Sequence, residues 1–313
     1  MMKKRPLVII GGATGVGKTE LSLRLAGRIN GQIISADSMQ VYKGFDIGTA
    51  KIKPAEMQGI PHYMIDELSW NEEFNIYEFQ KRAKKYMEQI YSEGAIPVIV
   101  GGTGFYIQAV LRDTRFNPEK ADKTCRRALE QAADEKGNAY LYEMLAKLDP
   151  ESAAAIHPNN VRRVIRALEF YNESGQRISE HNEEQRRNES PYDFKYFVLN
   201  RERSVIYDRI NRRVDTMLEE GLENEVRRLL ESGVSPHSRP MQGLGYKEMN
   251  EYIRGDITLD EAAYKIKLNT RHFAKRQITW FKREQNAIWM NYEAFGGADA
   301  MLEEMLKCLN IPE

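Results

Sequence analysis

The sequence predicts an α/β fold: a parallel sheet flanked by helices, carrying an all-helical insertion. Three observations point to it. Short apolar strands alternate with helix-periodic segments through the first third of the chain. A glycine-rich turn joins the first strand to the first helix, and strand character is absent from residue 119 to about 188 before it returns at 194.

The elements follow in order. "PLVII" (6–10) is an apolar run of strand length, and "GGATGVGKTELSLRLAGRI" (11–29) turns it into a helix with Leu21, Leu25 and Ile29 on one face. "QIISA" (32–36), "HYMI" (62–65) and "IPVIV" (96–100) read as further strands, and a helix starts at Ile76 and ends near Gly94. The character changes around Asn117 and Pro118. "KTCRRALEQAADEK", "AYLYEMLAKL" and "VRRVIRALEFYNESG" are helical, and the polar run "EHNEEQRRNESP" follows them. "FKYFVL" (194–199) restores a strand, and Ser204 to Ser232 reads as helix. A capping box at Thr258 and Glu261 opens a helix to about Arg283, and "AIWM" (287–290) returns to the sheet. The expected domains are a discontinuous catalytic core, 1–117 and 192–313, and a helical insertion, 118–191.

Composition narrows the class. Of 313 residues, 42% are hydrophobic and 29% charged, the balance of a globular protein. No apolar run reaches membrane-spanning length, and "MMKKRPLVII" leads into a strand rather than a signal peptide, so a cytoplasmic protein without membrane contact is expected. The two cysteines, Cys125 and Cys308, make no disulfide framework, and the five histidines show no metal-ligand spacing. Nothing demands more than a monomer. The 46 basic and 46 acidic residues cancel, yet Lys265 to Arg283 carries Lys265, Lys267, Arg271, Lys275, Arg276, Lys282 and Arg283 with no acidic residue. That is a local basic face. Trp280 and Phe281 continue a helical apolar pattern and are expected in the core.

Gly12, Gly17, Lys18 and Thr19 fit the phosphate-binding pattern G-x-x-x-x-G-K-[ST] in its strand-turn-helix context, which makes the core P-loop NTPase-like. Gly12, Ala13, Thr14, Gly15, Val16, Gly17, Lys18 and Thr19 form the loop. Its backbone N–H groups and the helix dipole hold phosphate oxygens, Lys18 adds a charge, and the Thr19 hydroxyl ligates Mg2+. The pattern does not say what the phosphates are attached to. Ligands of such sheets collect at the carboxyl ends of the strands. Two more of those ends carry "ADSMQVY" (36–42) and "GGTGFY" (101–106). Asp37, just past the second strand, is either a proton acceptor, a metal-side carboxylate or a turn cap.

"GATGVGKT", "SADSMQVYKGFDIGTAK", "GGTGFYI", "HPNNVRRVIRALE" and "TRHFAKRQITWFK" occur in the order and at the spacing of the tRNA dimethylallyltransferases, also called tRNA isopentenyltransferases. The chain resembles that family from about residue 7 to residue 290. The resemblance implies transfer of a dimethylallyl group from dimethylallyl diphosphate to the exocyclic amine of the adenine 3′-adjacent to the anticodon of tRNA. It implies Asp37 as the base, Thr103 as a residue lining the channel between donor and base, and Arg213 near the diphosphate. Arg209, four residues earlier, shares its helix face. Contacts to the anticodon stem-loop are implied at Asp37, Ser38, Met39 and Gln40, at Thr103 and at Arg126. They are also implied at Arg162, Arg163, Val164, Ile165 and Arg166, and at Gln242, Gly243, Leu244, Gly245, Tyr246 and Lys247. Three other readings use the same loop: a nucleoside or nucleotide kinase, with Asp66 as its magnesium-side carboxylate, a nucleotide-switched RNA-binding protein without transferase chemistry, and a prenyltransferase acting on free adenine nucleotides.

Overall fold

The computed structural model describes residues 4–116 and 123–310. The chain forms two compact units, Met1–Val110 with Pro191–Glu313, and Leu111–Ser190. The expected boundary at Asn117 and Pro118 lies outside the described residues.

The first unit is built on six strands: β1 (Arg5–Gly12), β2 (Gly31–Ser35), β3 (His62–Tyr63), β4 (Ile96–Gly101), β5 (Tyr192–Asn200) and β6 (Ala287–Asn291). They lie in the order β3-β2-β4-β1-β5-β6, and every pairing is parallel. The α/β class expected from the sequence is the one observed. The central strands read as unbroken apolar runs because both faces are covered: Leu7 to Ile10 of β1 and Tyr196 to Leu199 of β5 are all buried. The strand after the insertion pairs with β1 from Arg5↔Tyr192 to Gly12↔Leu199, so the interruption leaves the sheet intact. Because β2, β4 and β1 are neighbours, their carboxyl ends, and the three motifs that follow them, share one edge.

The helices, in chain order, are α1 (Lys18–Arg28), α2 (Ile76–Ser92), α3 (Gly104–Leu111), α4 (Lys123–Lys136), α5 (Asn138–Leu148), α6 (Pro150–Ala155), α7 (Val161–Ser174) and α8 (Ile178–Arg187). After β5 come α9 (Arg203–Glu219), α10 (Leu222–Glu231), α11 (Tyr246–Ile253), α12 (Leu259–Phe281), α13 (Tyr292–Phe295) and α14 (Ala298–Cys308). The expected capping box opens α12: Glu261 N donates to Thr258 Oγ1 at 3.2 Å, and Thr258 N to Glu261 Oε2 at 2.8 Å. Two expectations need correction. Ser204 to Ser232 is two helices, because the chain turns at Gly221 with φ 96°. "HYMI" yields only a two-residue strand, since Met64 adopts φ 66° and leaves the extended region.

The second unit has its own core, made by Leu129 of α4, Leu141 and Leu145 of α5, Ala153 of α6, and Val164, Ile165, Ala167 and Leu168 of α7. The polar run after α7 is largely helix α8, which adds Ile178 to that core. Asp149 joins its pieces by accepting from Ser152 N at 3.0 Å and Ser179 N at 3.1 Å. Burial alone would raise the Asp149 carboxyl, but the bonds from Ser152 and Ser179 outweigh it and hold it below the usual range.

Candidate active site

The phosphate loop is shaped by what holds its carbonyls. Lys18 Nζ donates to Gly12 O at 3.0 Å and Ala13 O at 2.9 Å, Arg209 Nε to Gly15 O at 2.7 Å, and Arg201 Nε to Val16 O at 3.1 Å. The N–H groups of Gly15 to Thr19 have no acceptor among the described residues. Gly17 stands at the N-cap of α1 with φ 100°, a conformation suited to glycine, and offers no capping side chain. The start of α1 therefore keeps its orphan donors for an anion. One loop donor is engaged: Thr14 N bonds Gln277 Oε1 at 2.9 Å, while Gln277 Nε2 bonds Gly102 O at 3.0 Å. Gln277 of α12 thus ties the loop after β1 to the loop after β4. A Cβ at Gly102 would overlap Gln277, and one at Gly104 would overlap the Trp280 ring, which is why "GGTG" carries glycine at both places.

Asp37 follows β2. Its Oδ1 accepts from Met39 N at 2.8 Å and Gln40 N at 3.4 Å, closing a side-chain turn, and Oδ2 has no hydrogen bond among the described residues. The carboxylate caps the turn with one oxygen and presents the other. Gln40 fastens the turn, accepting from Ser35 Oγ at 3.1 Å and donating to Thr49 O at 3.2 Å. Thr49 belongs to a loop held by a buried carboxylate. Glu225 accepts from Asp46 N at 3.2 Å, Ile47 N at 2.8 Å, Gly48 N at 3.2 Å and Tyr246 Oη at 2.7 Å. Burial pushes the Tyr246 phenol up, so it remains a donor. Buried Lys51 adds a second anchor, donating to Tyr42 O at 2.8 Å, Asp46 Oδ1 at 2.6 Å and Asp66 Oδ1 at 2.5 Å.

These segments enclose a cavity of about 570 Å3. Thr14, Gly15, Gly17, Lys18, Thr19, Asp37, Gln40 and Arg213, all expected in the site, line it, and so does Arg209. Gly12, Ala13, Val16, Ser38, Met39 and Thr103 do not. Ala13 and Val16 are buried and serve the loop through their backbone. Thr103 starts α3 instead: its carbonyl accepts from Tyr106 N at 2.9 Å, and its N–H bonds Ala36 O at 3.3 Å. Sequence reasoning missed Arg212, Thr49, His62, Phe273 and Gln277, which also line the cavity. Arg212 had a local signal as the neighbour of Arg213, one turn beyond Arg209, and Thr49, Phe273 and Gln277 lie inside quoted motifs without being singled out there. Asp66, the carboxylate a kinase would need, is bound to Lys51 and is not a lining residue.

The electrostatics are those of an anion site. Burial pushes the Lys18 ammonium down to about 8, the nearby Arg213 adds to the shift, and Asp37 opposes it. Burial also lowers Arg213, with Asp37 opposing and Arg209 adding. A ligand carrying negative charge between these cations reverses both penalties.

The expected RNA-contact residues divide by burial. Val164, Ile165, Gly245 and Tyr246 are buried, Val164 and Ile165 in the core of the second unit. The side chains of Val164, Ile165 and Tyr246 are corrected to packing roles, because a buried apolar side chain or ring does not reach a nucleic acid, while Gly245 takes part through its backbone, donating to Glu248 Oε2 at 2.9 Å. Gln242 and Lys247 are exposed, and Met39 lies close against Gly243, so segments 37–40 and 242–247 are neighbours. In the second unit, Arg126 grips buried Glu169 with Nε–Oε1 at 3.1 Å and Nη2–Oε2 at 3.0 Å, and Arg166 Nη1 joins at 3.0 Å. Arg162 and Arg163 are exposed and make no ion pair among the described residues.

Comparison with known proteins places this geometry in a family. The model of the family described as IPP transferase matches residues 40–284. The tRNA dimethylallyltransferase of Lachnoclostridium phytofermentans is 52% identical over 309 residues, 99% of each chain. That of Acetivibrio thermocellus is 47% identical, covering 96% of this chain and 95% of the relative. Among solved structures, a Staphylococcus epidermidis tRNA delta(2)-isopentenylpyrophosphate transferase is 45% identical with a TM-score of 0.73, over 98% of this chain and 99% of that one. A eukaryotic dimethylallyltransferase acting on tRNA is 30% identical with a TM-score of 0.82, over 98% of this chain and 80% of that one. A match over most of the chain, with relatives this similar end to end, shows that the chain belongs to the IPP transferase family.

Proposed function

We propose that the protein transfers a dimethylallyl group from dimethylallyl diphosphate to the exocyclic amine of the adenine 3′-adjacent to the anticodon of tRNA. The observation that carries the reading is one cavity lined by both the cationic phosphate loop and Asp37. The names of the full-length relatives support it.

In the reaction the allylic C–O bond breaks and the diphosphate leaves with the electron pair. The adenine nitrogen forms the new C–N bond, and its proton passes to Asp37 Oδ2. The departing charge develops against Lys18, Arg209, Arg212, Arg213 and the orphan N–H groups of the loop, which are positioned before the reaction begins. The adenine amine is a weak nucleophile because its lone pair is delocalised, so a base that takes the proton during attack lowers the barrier. Mg2+ suits the residues present. Thr19 offers a hydroxyl in the cavity, and among the described residues no group of three or more His, Cys, Asp or Glu side chains could hold a metal by itself. This is the pattern of a hard cation ligated largely by substrate phosphates and water. Thr19 would hold it, and its charge would help neutralise the diphosphate.

The tRNA is assigned to segments 37–40 and 242–247 and to the exposed arginines of α7. The reading implies a cytoplasmic enzyme, and no helix among the described residues is long and apolar enough to cross a membrane. Incubation with labelled dimethylallyl diphosphate or ATP, and with unmodified tRNA or adenosine monophosphate, tests the proposal. Label from dimethylallyl diphosphate on tRNA is expected. Phosphoryl transfer from ATP, or labelling of the free nucleotide alone, would overturn it.

A further inference from the structure

Three aromatic residues toward the carboxyl end of the chain have different surroundings. Phe281 is in the core as expected, Trp280 is only half-buried, and Tyr292, which no sequence motif marks, is buried against the phosphate loop. Tyr292 lies beyond residues 40–284, the stretch that the family model matches. The sheet brings it to the loop. β5 and β6 run in parallel as far as the pair Asn200↔Asn291, whose side chains also bond, Asn200 Nδ2 to Asn291 Oδ1 at 2.8 Å. The next residue on each strand is therefore set beside the other: Arg201 after β5 and Tyr292 after β6. Because Leu199 pairs with Gly12 of β1, both stand next to the turn that follows β1.

Arg201 makes two contacts there. Its guanidinium carbon lies 3.4 Å from the centroid of the Tyr292 ring, and its Nε donates to Val16 O at 3.1 Å. The stack fixes the plane of the guanidinium, and that plane aims the Nε–H. The consequence lies across the peptide bond. The bond between Val16 and Gly17 is planar and trans, so holding the Val16 carbonyl turns the Gly17 N–H to the opposite side. Gly17 lines the cavity, and its N–H has no acceptor among the described residues. Tyr292 also backs this residue directly: a Cβ at Gly17 would come within 2.9 Å of Tyr292 Oη. That hydroxyl is shielded from solvent and has no hydrogen-bond partner, so it is the ring that holds Arg201.

We propose that Arg201 and Tyr292 are positioning residues for the leaving diphosphate. Tyr292 orients Arg201, Arg201 locks the peptide between Val16 and Gly17, and the Gly17 N–H faces the anion before it binds. A donor fixed in advance costs no reorganisation as charge develops on the leaving group. Neither side chain lines the cavity, so both act through the loop. The inference rests on the reading of the loop as the diphosphate seat and adds to it a clamp supplied by the end of the sheet.

The test measures binding of inorganic diphosphate with Mg2+ by calorimetry, so it does not depend on turnover. Arg201→Ala is expected to weaken binding about 10- to 150-fold, the worth of one hydrogen bond to a charged group. Tyr292→Leu keeps the charge of Arg201 and removes its platform, and a loss of about 2- to 30-fold is expected. Tyr292→Phe should recover what Tyr292→Leu loses. Because Tyr292 acts through Arg201, the double variant Arg201→Ala with Tyr292→Leu should bind no more weakly than Arg201→Ala alone. Arg201→Lys keeps the charge but cannot stack as a plane, so it should lose affinity as well. Circular dichroism and thermal unfolding identify the variants that fold, and Arg201→Ala with Arg201→Lys decide the matter if the Tyr292 variants do not. Unchanged affinity in folded Arg201→Ala or Arg201→Lys, additive losses in the double variant, or Tyr292→Phe as weak as Tyr292→Leu would overturn the proposal. If wild type binds diphosphate and the variants follow this pattern, but no dimethylallyl group reaches tRNA, the functional reading fails and the clamp stands.

Discussion

Two arginine clusters, one in each unit, are used in opposite ways. In the α/β unit Arg209, Arg212 and Arg213 line a cavity with Asp37, which has one oxygen without a hydrogen bond among the described residues. In the helical unit Arg126 and Arg166 close on Glu169, a carboxylate buried in the same unit. The sequences look alike, with "NRRVD" and "NVRRVIR" both reading as basic helix faces. What separates them is whether the chain supplies its own buried counter-charge. Where it does, the arginine stabilises the fold; where it does not, the charge is left for a ligand.

The largest effect that sharpens this contrast is at Asp37. Replacing it with Ala should slow single-turnover transfer by roughly a hundred- to ten-thousand-fold while donor binding persists. A rate within a few-fold of wild type would return Asp37 to its turn-capping role alone, which its bonds to Met39 and Gln40 already provide.

Glu169→Ala is the counterpart in the helical unit. It removes charge-assisted bonds to two arginines, and the local stability of residues 123–190, read by hydrogen exchange, should fall by about 2–3 kcal/mol. The pH dependence has a definite sign. Burial would raise the Glu169 carboxyl, but Arg126 and Arg166 outweigh it and hold it below the usual range. Its contribution is therefore complete above the unfolded value of about 4.3 and is lost as pH falls through the lower folded value. Stability of the helical unit that is flat through acid, or as acid-sensitive in Glu169→Ala as in wild type, would break the contrast.

Lys18 gives a smaller effect of opposite sense. In the protein alone its ammonium titrates at about 8, mainly through burial, and a bound diphosphate raises it. Binding above pH 8 must therefore take up a proton, so diphosphate affinity should be constant below that pH and fall by up to tenfold per unit above it. Lys18→Arg, which stays charged, should lack the break when both are titrated by calorimetry.

What the sequence made legible follows the same division between local and distant causes. The phosphate loop, the parallel sheet and the capping box of α12 are short-range patterns, and each appears where the residues indicate. Gln277 stands in the run "TRHFAKRQITWFK", but its role does not show there because its partners, Thr14 and Gly102, lie far away in the chain. Glu225 and Lys51 organise the loop beside Asp37 by the same kind of distant contact. The family resemblance put Thr103 in the channel; its N–H bonds Ala36 O and its carbonyl starts the turn into α3, contacts that no local pattern shows. Val164 and Ile165 went astray for a different reason: a run of consecutive helix positions cannot all face one ligand, and the apolar pair turns inward.

The smallest prediction separates arginines within one helix. Arg162 and Arg163 are exposed on α7 and make no ion pair among the described residues, whereas Arg166, three residues on, is held at 3.0 Å by Glu169. If the exposed pair meets RNA phosphates, each releases about one counterion on binding, and the logarithm of affinity falls with the logarithm of salt accordingly. Arg162→Ala and Arg163→Ala should each flatten that slope by about 0.7 to 0.9 and leave single-turnover transfer at saturating tRNA unchanged. Arg166→Ala should leave the slope nearly as it was and instead weaken the helical unit, because its charge is already neutralised from within. Titrations of tRNA binding at several salt concentrations distinguish the cases. Equal flattening by all three would mean that Glu169 does not hold Arg166 away from RNA, and no flattening by any would remove α7 from the RNA interface.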